Sequence, residues 1–402
     1  MVEVKPRWLK KGIACLLYTS MSQDEVTAGE GLTETEVQEV LVAYYDDNPQ
    51  QFWISDIRSS ATLESIPRNP VFQAMDELLS AWTGKEYSKE PLYQLHFQPS
   101  YLWSADEQES MEARMKETME QAYAQLSPGM SEFEREEALH DWLMRQCCYS
   151  HLAASQILKG GDQLDYYLTS ASAYGAIVQH TAVCTGYARA MKLLLNGAGI
   201  ECRLQSGEAP SPEWGQEGEM AGHVWNVVTI DGQEYHLDPT WNDTGDWLFQ
   251  IDMPAVLSDR YENYEAEDAV YRGYVHLYFN VTDEEIGQTH TMEEAPGCAA
   301  SDGQYYRRKG LRFTKIGDQE RAVLTEEIVR AVGRETCMVE MDLGGAENPD
   351  ALTDRLINEE DGVLFSCIEG ANNQLKDIRL REDYVVYQQE GSGKLILYFM
   401  KE

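Results

Sequence analysis

Thr181-Ala-Val-Cys184-Thr-Gly-Tyr187-Ala-Arg-Ala-Met-Lys-Leu-Leu-Leu195-Asn-Gly197 is the stretch of this chain that decides the fold. Its apolar residues recur at helical spacing and Asn196-Gly197 is a typical helix end, so the stretch predicts a helix that begins at or next to Cys184. The unpaired N–H groups and the positive dipole end of that helix would face the sulfur. Such a position lowers a thiol pKa from roughly 8.5 toward 3.5–7.5, and a backbone N–H there can bind a developing oxyanion. Cys184 is therefore a candidate nucleophile.

A candidate base and its partner follow downstream. The stretch Gly222-His223-Val-Trp-Asn-Val-Val-Thr-Ile230 alternates like a strand, which places His223 and Trp225 on the same face. Asp231-Gly232 predicts a hairpin turn, and a returning strand from Glu234 to Trp241 would bring Asp238 next to His223. An aspartate that accepts from one imidazole nitrogen fixes the tautomer, while the other nitrogen takes the thiol proton.

Two other histidines are alternatives for the base. His180 lies four residues before Cys184, and His236 lies two residues before Asp238, on the same predicted strand face. A cysteine or histidine considered alone is more often a core residue than a catalytic one. The three residues in their matching local contexts favour His223.

Three segments carry a resemblance to a known family. AVCTGYARAMKLLLNGAGIEC, GHVWNVV and YHLDPTWND resemble, in this order, the motif blocks of the transglutaminase-like superfamily, a pattern typical of its bacterial members. The resemblance covers about residues 130 to 250. It implies an α+β, papain-like fold in which Cys184 is the nucleophile, His223 the base and Asp238 the orienting acid, with Trp225 and Trp241 as supporting packing residues.

The oxyanion partner is less well defined by the sequence. In this fold a side-chain donor just upstream of the nucleophile often assists the backbone N–H, and Gln179 and Tyr174 are the candidates. Gln179 could equally lie on the solvent face of the helix predicted before it.

The resemblance implies cysteine-dependent acyl transfer at amide bonds of protein or peptide substrates, through a thioester intermediate. Hydrolysis by a peptidase or amidase is favoured over cross-linking, because the sequence identifies no amine-acceptor site. The alternative is a catalytically silent binding module at the cell surface, since the family also contains binding scaffolds. A zinc site formed by Cys184, His223 and Asp238 is a further, less favoured alternative. No cofactor and no metal are expected.

Composition excludes several classes of partner. The 402 residues include 43% hydrophobic side chains, enough for a large folded core, and the formal net charge is -37 with a pI of about 4.5. A chain this acidic repels the phosphate backbone of nucleic acids and the head groups of anionic lipids. We therefore do not expect nucleic acid as a partner. The eight cysteines are scattered without a CxxC pair, which does not indicate a disulfide framework.

Helix-start signals and chain breaks predict the domain organisation. Capping boxes begin at Thr33, Ser104 and Ser131, and Ser127-Pro-Gly129 interrupts the chain. We expect four parts: a leader or non-native start (1–20), a helical N-terminal accessory region (21–127), the catalytic domain (128–295) and a small α/β C-terminal accessory region (296–402). The basic, partly apolar start resembles a short signal peptide, which favours export or the cell surface and leaves the cytoplasm open. No stable membrane span is expected, and the oligomeric state is not indicated.

Overall fold

The computed structural model describes most of the second half of the chain and parts of the first. The described residues are 16–17, 25–29, 46–50, 52, 54–66, 73, 92–101, 103–159, 167–210, 219–243, 274–292, 294–333, 338–357, 362–388 and 392–401. The chain divides into two compact units, Met1–Ala113 and Arg114–Glu402. Among these described residues, no helix has the length and apolar character needed to cross a bilayer. The α+β class predicted from the sequence is confirmed by the helices and sheets below.

The first unit contains a four-stranded antiparallel sheet with the order β1-β2-β4-β3. Its strands are β1 (Leu16–Leu17), β2 (Glu25–Gly29), β3 (Ile54–Ile66) and β4 (Leu92–Tyr101). The helical N-terminal region expected from the sequence needs correction, because the described residues before Ser104 are mainly sheet. Serine, threonine and charged residues dominate β3, so it lacks the alternation that identifies a strand. The helix predicted from Thr33 lies outside the described residues.

The helices that follow alternate with short strands. They are α1 (Ala105–Tyr123), α2 (Glu132–Gln146), α3 (His151–Lys159), α4 (Ala173–Ile177), α5 (Cys184–Gly197), α6 (Pro239–Asn242), α7 (Asp283–Ile286), α8 (Tyr305–Arg308), α9 (Asp318–Gly333), α10 (Pro349–Ile357) and α11 (Val363–Asn372). The capping box predicted at Ser131 forms, with Ser131 N donating to Glu134 at 2.8 Å and Glu134 N donating to Ser131 Oγ at 3.2 Å. At Ser104, the backbone N–H donates to the Glu107 carboxylate at 2.8 Å, which is one half of the predicted box. A parallel pair, β5 (Cys148–Tyr149) with β6 (Thr181–Ala182), leads into α5.

A second antiparallel sheet has the order β10-β9-β8-β7. Its strands are β7 (Cys202–Pro210), β8 (Met220–Ile230), β9 (Gln233–Leu237) and β10 (Phe279–Val281). Helix α5 packs on β7 and β8, with Tyr187, Leu194 and Trp225 among the fully buried side chains. Burying these apolar groups between a helix and a sheet provides the main stabilisation of this core, at about 25 cal/mol for each Å² removed from water.

The hairpin turn predicted between β8 and β9 is confirmed. Asp231 and Gly232 both have positive φ, 51° and 77°, and Ile230 pairs with Gln233 across the turn. The returning strand is shorter than predicted, since β9 ends at Leu237 rather than continuing to Trp241. Pro239 has no N–H for a strand ladder, and the Asp238 carboxylate accepts from two following backbone N–H groups, so a helix begins there instead.

The C-terminal residues form a three-stranded antiparallel sheet in the order β11-β13-β12, covered by helices. The strands are β11 (Met338–Asp342), β12 (Leu380–Gln388) and β13 (Lys394–Lys401). The small α/β C-terminal region expected from the sequence contains these strands together with α9, α10 and α11. One contact to the preceding region comes from the buried Lys394, whose Nζ donates to Leu277 O at 2.7 Å.

A buried charge cluster joins β11 to α2 through His276. The His276 ring lies between two carboxylates, with Nδ1 2.8 Å from Glu340 Oε1 and Nε2 3.0 Å from Asp141 Oδ1. The side chains of His276, Asp141 and Glu340 are 6%, 10% and 10% exposed. The His276 ring stacks on Tyr305 with 3.7 Å between the ring centroids. Burial lowers the pKa of His276, but the charges of Glu340 and Asp141 raise it to about 10, so the ring is a cation at neutral pH.

Replacing His276 with alanine is expected to lower the free energy of unfolding by about 3–5 kcal/mol, because two buried carboxylates lose the cation between them. The native pKa of about 10 lies above the ordinary value for histidine. The contribution of the charged His276 ring to the free energy of unfolding is therefore complete below pH ~6.5, and it disappears as the pH rises through the native pKa of this ring. Urea unfolding at pH 6 and at pH 10 measures both effects.

A matched control for this variant is Arg203→Ala, which breaks an exposed ion pair. Arg203 and Glu234 are 41% and 40% exposed and lie 3.0 Å apart, so their pair should be worth less than about 1 kcal/mol. A loss from His276→Ala no larger than the loss from Arg203→Ala would contradict a stabilising role for the cluster.

Candidate active site

Cys184 is the first residue of α5, as the sequence predicts. The preceding Val183 is extended, with φ -101° and ψ 176°, and its N–H donates to Ser170 O at 2.9 Å. A Cβ on Gly186 would lie 2.2 Å from that same Ser170 O, so glycine is required for this close approach. The thiol is partly exposed at the amino end of the helix. Chain geometry therefore presents the sulfur where the helix dipole is positive.

The helix that carries Cys184 is tied directly to the strand that carries His223. Asn226, in the middle of β8, is fully buried, and its Nδ2 donates to Ala188 O in α5 at 2.9 Å. Trp225 is also fully buried, and its ring stacks against His223 at 5.9 Å between centroids. The strand and helix are thus held in one fixed relation.

His223 and Asp238 form a short, buried hydrogen bond. His223 Nε2 lies 2.7 Å from Asp238 Oδ2, and the two side chains are 8% and 0% exposed. The other oxygen, Oδ1, accepts from Thr240 N at 2.9 Å and Trp241 N at 3.1 Å. Since Nε2 is engaged with Asp238, the other ring nitrogen, Nδ1, is left to interact with the Cys184 thiol.

The ionised forms of Cys184, His223 and Asp238 stabilise one another. Burial raises the pKa of the Cys184 thiol, but the hydrogen bond and charge of His223 and the Val224 N–H bring it below its ordinary value. Burial lowers the pKa of His223, but the charge and hydrogen bond of Asp238 raise it to about 10. Burial also raises the pKa of Asp238, yet its histidine partners hold it well below the usual range. This arrangement favours a thiolate, an imidazolium and a carboxylate at neutral pH.

The alternative base His236 is engaged elsewhere. Its Nδ1 accepts from Trp225 Nε1 at 2.9 Å, and its Nε2 lies 2.8 Å from Asp283 Oδ1. Both ring nitrogens therefore have partners, and the ring is fully buried. His180, the other alternative, adopts a positive φ of 60° just before β6.

The two oxyanion candidates have different environments. Tyr174 is buried in α4, whereas the side chain of Gln179 is exposed and its backbone N–H donates to Tyr174 O at 3.2 Å. An oxyanion role for either residue stays a prediction. The supporting residue Trp241 contributes its backbone N–H to Asp238 and its ring to the packing of this region.

The sequence prediction did not include His290, which contacts the same carboxylate oxygen as His223. His290 Nε2 lies 3.0 Å from Asp238 Oδ2, and the residue is 2% exposed. It follows α7 in a segment without a motif of its own. The Thr282-x-x-Glu285 capping box that begins α7 is the one local signal that could have drawn attention to this segment.

Three groups of side chains in the described part of the chain bring metal-binding atoms within 4.8 Å of one another: His140, Asp141 and His276; His223, Asp238 and His290; and His236, Asp283 and Cys298. In the third group, the hydrogen bonds of His236 explain why these side chains lie close together. Trp225 Nε1–H is a donor only, so His236 Nδ1 accepts and Nε2 carries the proton given to Asp283. With its proton on Nε2, this ring is not set up to bind a metal there.

Comparison with known families agrees with this geometry. Residues 120–239 match the family model described as the transglutaminase-like superfamily, and the match includes Cys184, His223 and Asp238. The resemblance to this superfamily that the sequence predicts is therefore confirmed for this segment. Among curated proteins, none is similar enough to count as a match.

Solved structures with some likeness include a TGase, with 16% identity and a TM-score of 0.28 over 46% of this chain and 52% of that one. A “putative protease” from Parabacteroides distasonis ATCC 8503 has 12% identity and a TM-score of 0.23 over 47% and 39%. A “putative cysteine protease” from Cytophaga hutchinsonii has 14% identity and a TM-score of 0.24 over 46% and 65%. The chain thus spans 39% to 65% of the lengths of these structures.

Proposed function

We propose that this protein is a cysteine-dependent acyl-transfer enzyme that acts on amide bonds of proteins or peptides, with Cys184 as nucleophile, His223 as base and Asp238 as orienting acid. The observation that carries the proposal is the 2.7 Å bond between His223 Nε2 and Asp238, which leaves the other ring nitrogen for a thiol at a helix amino end. The lowered pKa of that thiol supports the same roles.

The reaction proceeds in two halves. The Cys184 thiolate attacks the amide carbonyl, and the C–S bond forms while the carbonyl oxygen becomes an oxyanion near the amino end of α5. The His223 imidazolium gives its proton to the leaving amine, the C–N bond breaks and a thioester remains. Neutral His223 then takes a proton from water, and the hydroxide attacks the thioester. Loss of the acid product restores the thiolate and the imidazolium.

Water is the acceptor we favour over a second amine. Water needs no binding site of its own, whereas cross-linking requires a site that holds the acceptor side chain against the thioester. The enzyme is therefore proposed to be a peptidase or amidase. A catalytically silent binding module, the other reading of this fold, would keep the fold without an activated thiol.

The test is the rate of iodoacetamide labelling at each cysteine between pH 4 and pH 10, with peptide mass mapping. We expect selective labelling of Cys184 with an apparent pKa well below ~8.5, and a higher pKa in His223→Ala. Cys202 is an internal control, because it is 3% exposed and burial raises its pKa far above the ordinary value. Labelling of Cys184 as slow as that of Cys202, with no effect of His223→Ala, would favour the binding module.

A further inference from the structure

Asp238 has four hydrogen-bonding positions on its two oxygens, and all four are occupied. Oδ1 accepts from Thr240 N and Trp241 N, and Oδ2 faces His223 Nε2 at 2.7 Å and His290 Nε2 at 3.0 Å. The carboxylate is fully buried, so water does not replace a missing partner. Losing any one of these donors would leave a buried charged oxygen under-bonded.

The tautomer of His290 follows from its partners. An ionised carboxylate accepts hydrogen bonds only, so His290 Nε2 must carry a proton. Its Nδ1 lies 2.8 Å from Thr289 Oγ1, a hydroxyl whose proton can point at the ring. Burial lowers the pKa of His290 more than the contact with Asp238 raises it. The ring is thus a neutral donor at neutral pH, unlike the charged His223.

The backbone holds His290 in this place. Its N–H donates to Ile286 O at 2.9 Å, and the next residue, Thr291, exchanges two 2.9 Å backbone hydrogen bonds with Glu208 in β7. A Cβ on Gly207 would lie 2.0 Å from Thr291 O, so a glycine in β7 permits this approach. The segment after α7 is fixed to the edge of the same sheet that carries His223.

Aromatic rings enclose the His290 side chain. The rings of Trp225, Trp241 and Tyr278 meet it edge to face, at 5.1, 5.2 and 5.4 Å between centroids. At 2% exposure the ring has no surface to offer a substrate. Any contribution to the reaction must therefore pass through Asp238.

We propose that His290 is a positioning residue of this site, which donates the hydrogen bond that holds Asp238 Oδ2 in the direction required to orient His223. This inference rests on the proposed function of Cys184, His223 and Asp238. His290 supplies the fourth donor to the carboxylate without carrying a charge that would compete with His223 for it.

The test compares variants that keep or remove the donor. His290→Gln places an amide N–H near the position of Nε2. His290→Phe retains an aromatic ring at this position but has no N–H group to donate to Asp238. His290→Asn is a second loss variant, because its amide ends near the position of Nδ1 and does not reach Asp238. Each is assayed for release of nitrophenolate from 4-nitrophenyl acetate and for urea unfolding.

We expect His290→Phe and His290→Asn to lower kcat by about tenfold to a hundredfold with KM nearly unchanged, the loss typical of a hydrogen bond to a charged group. His290→Gln should recover most of that kcat. Equal losses in all three variants, or no loss in any folded variant, would overturn the proposal. A KM increase with kcat unchanged would also overturn it, since it would indicate contact with substrate.

A second measurement does not depend on catalysis. In protein labelled with ¹⁵N-histidine, His290, assigned by the loss of its signal in His290→Gln, should show a neutral ring with the proton on Nε2. The proton of His223 that faces Asp238 should shift in His290→Phe and return in His290→Gln. If the wild type is inactive yet these spectra are as expected, the proposed function fails and the positioning role stands. A His290 proton on Nδ1 instead would refute the positioning role whatever the activity.

Discussion

Exchanging Cys184 for alanine is expected to lower the turnover of 4-nitrophenyl acetate by about six orders of magnitude, the loss seen when a triad nucleophile is removed. Without the sulfur no thioester can form, and the remaining catalysis comes from binding and from the helix amino end alone. Folding should be nearly unaffected, because the thiol is partly exposed at the start of α5 and alanine is well tolerated in a helix. Turnover and urea unfolding, measured on the same preparation, separate the two effects.

Cys202→Ala is the matched control for this variant. Cys202 begins β7 and is 3% exposed, so its loss removes buried sulfur and should lower stability by about 1 kcal/mol while turnover stays near the wild-type value. Loss of turnover to the same extent in both variants would contradict the assignment of Cys184 as the nucleophile.

Local sequence signals predict the elements that carry the candidate site. The apolar spacing and the Asn196-Gly197 ending define α5, and the alternation around His223 with the Asp231-Gly232 turn defines the β8–β9 hairpin. These features depend on neighbouring residues, and local physics determines them. The turn, for example, needs positive φ at both positions, which Asp-Gly readily adopts.

Contacts between distant segments are where sequence reasoning reaches its limit. His290 meets Asp238 across 52 residues, and His276 meets Asp141 across 135 and Glu340 across 64. No spacing rule connects such positions, since the chain between them contains helices and strands of variable length. Asp238 itself shows the same limit, because the continuous strand predicted for it overlooks the competing helix cap that Pro239 favours.

Asp238→Asn is expected to lower kcat by about 10⁴-fold, as found when a triad aspartate is replaced by its amide. Two backbone N–H groups bond Oδ1, so the amide oxygen of asparagine would take that position and its NH₂ group would face His223. An NH₂ group donates, which forces His223 Nε2 to accept and moves the ring proton to Nδ1. The nitrogen nearest the thiol then cannot take its proton. Turnover and the pH dependence of Cys184 alkylation measure this result.

The same structure supplies a closely matched control in Asp283→Asn. Asp283 Oδ1 lies 2.8 Å from His236 Nε2, which is the same carboxylate-to-Nε2 arrangement. The other nitrogen of that ring, Nδ1, accepts a hydrogen bond from Trp225 Nε1 rather than from a thiol. Losing that carboxylate should change kcat by less than about tenfold and leave the alkylation pKa of Cys184 in place. An effect of Asp238→Asn as small as that of Asp283→Asn would mean that another acid orients the base. A large effect confined to Asp238→Asn would tie catalysis to the proton position on His223, because the amide preserves the shape of the carboxylate but donates a hydrogen bond where the carboxylate accepts one.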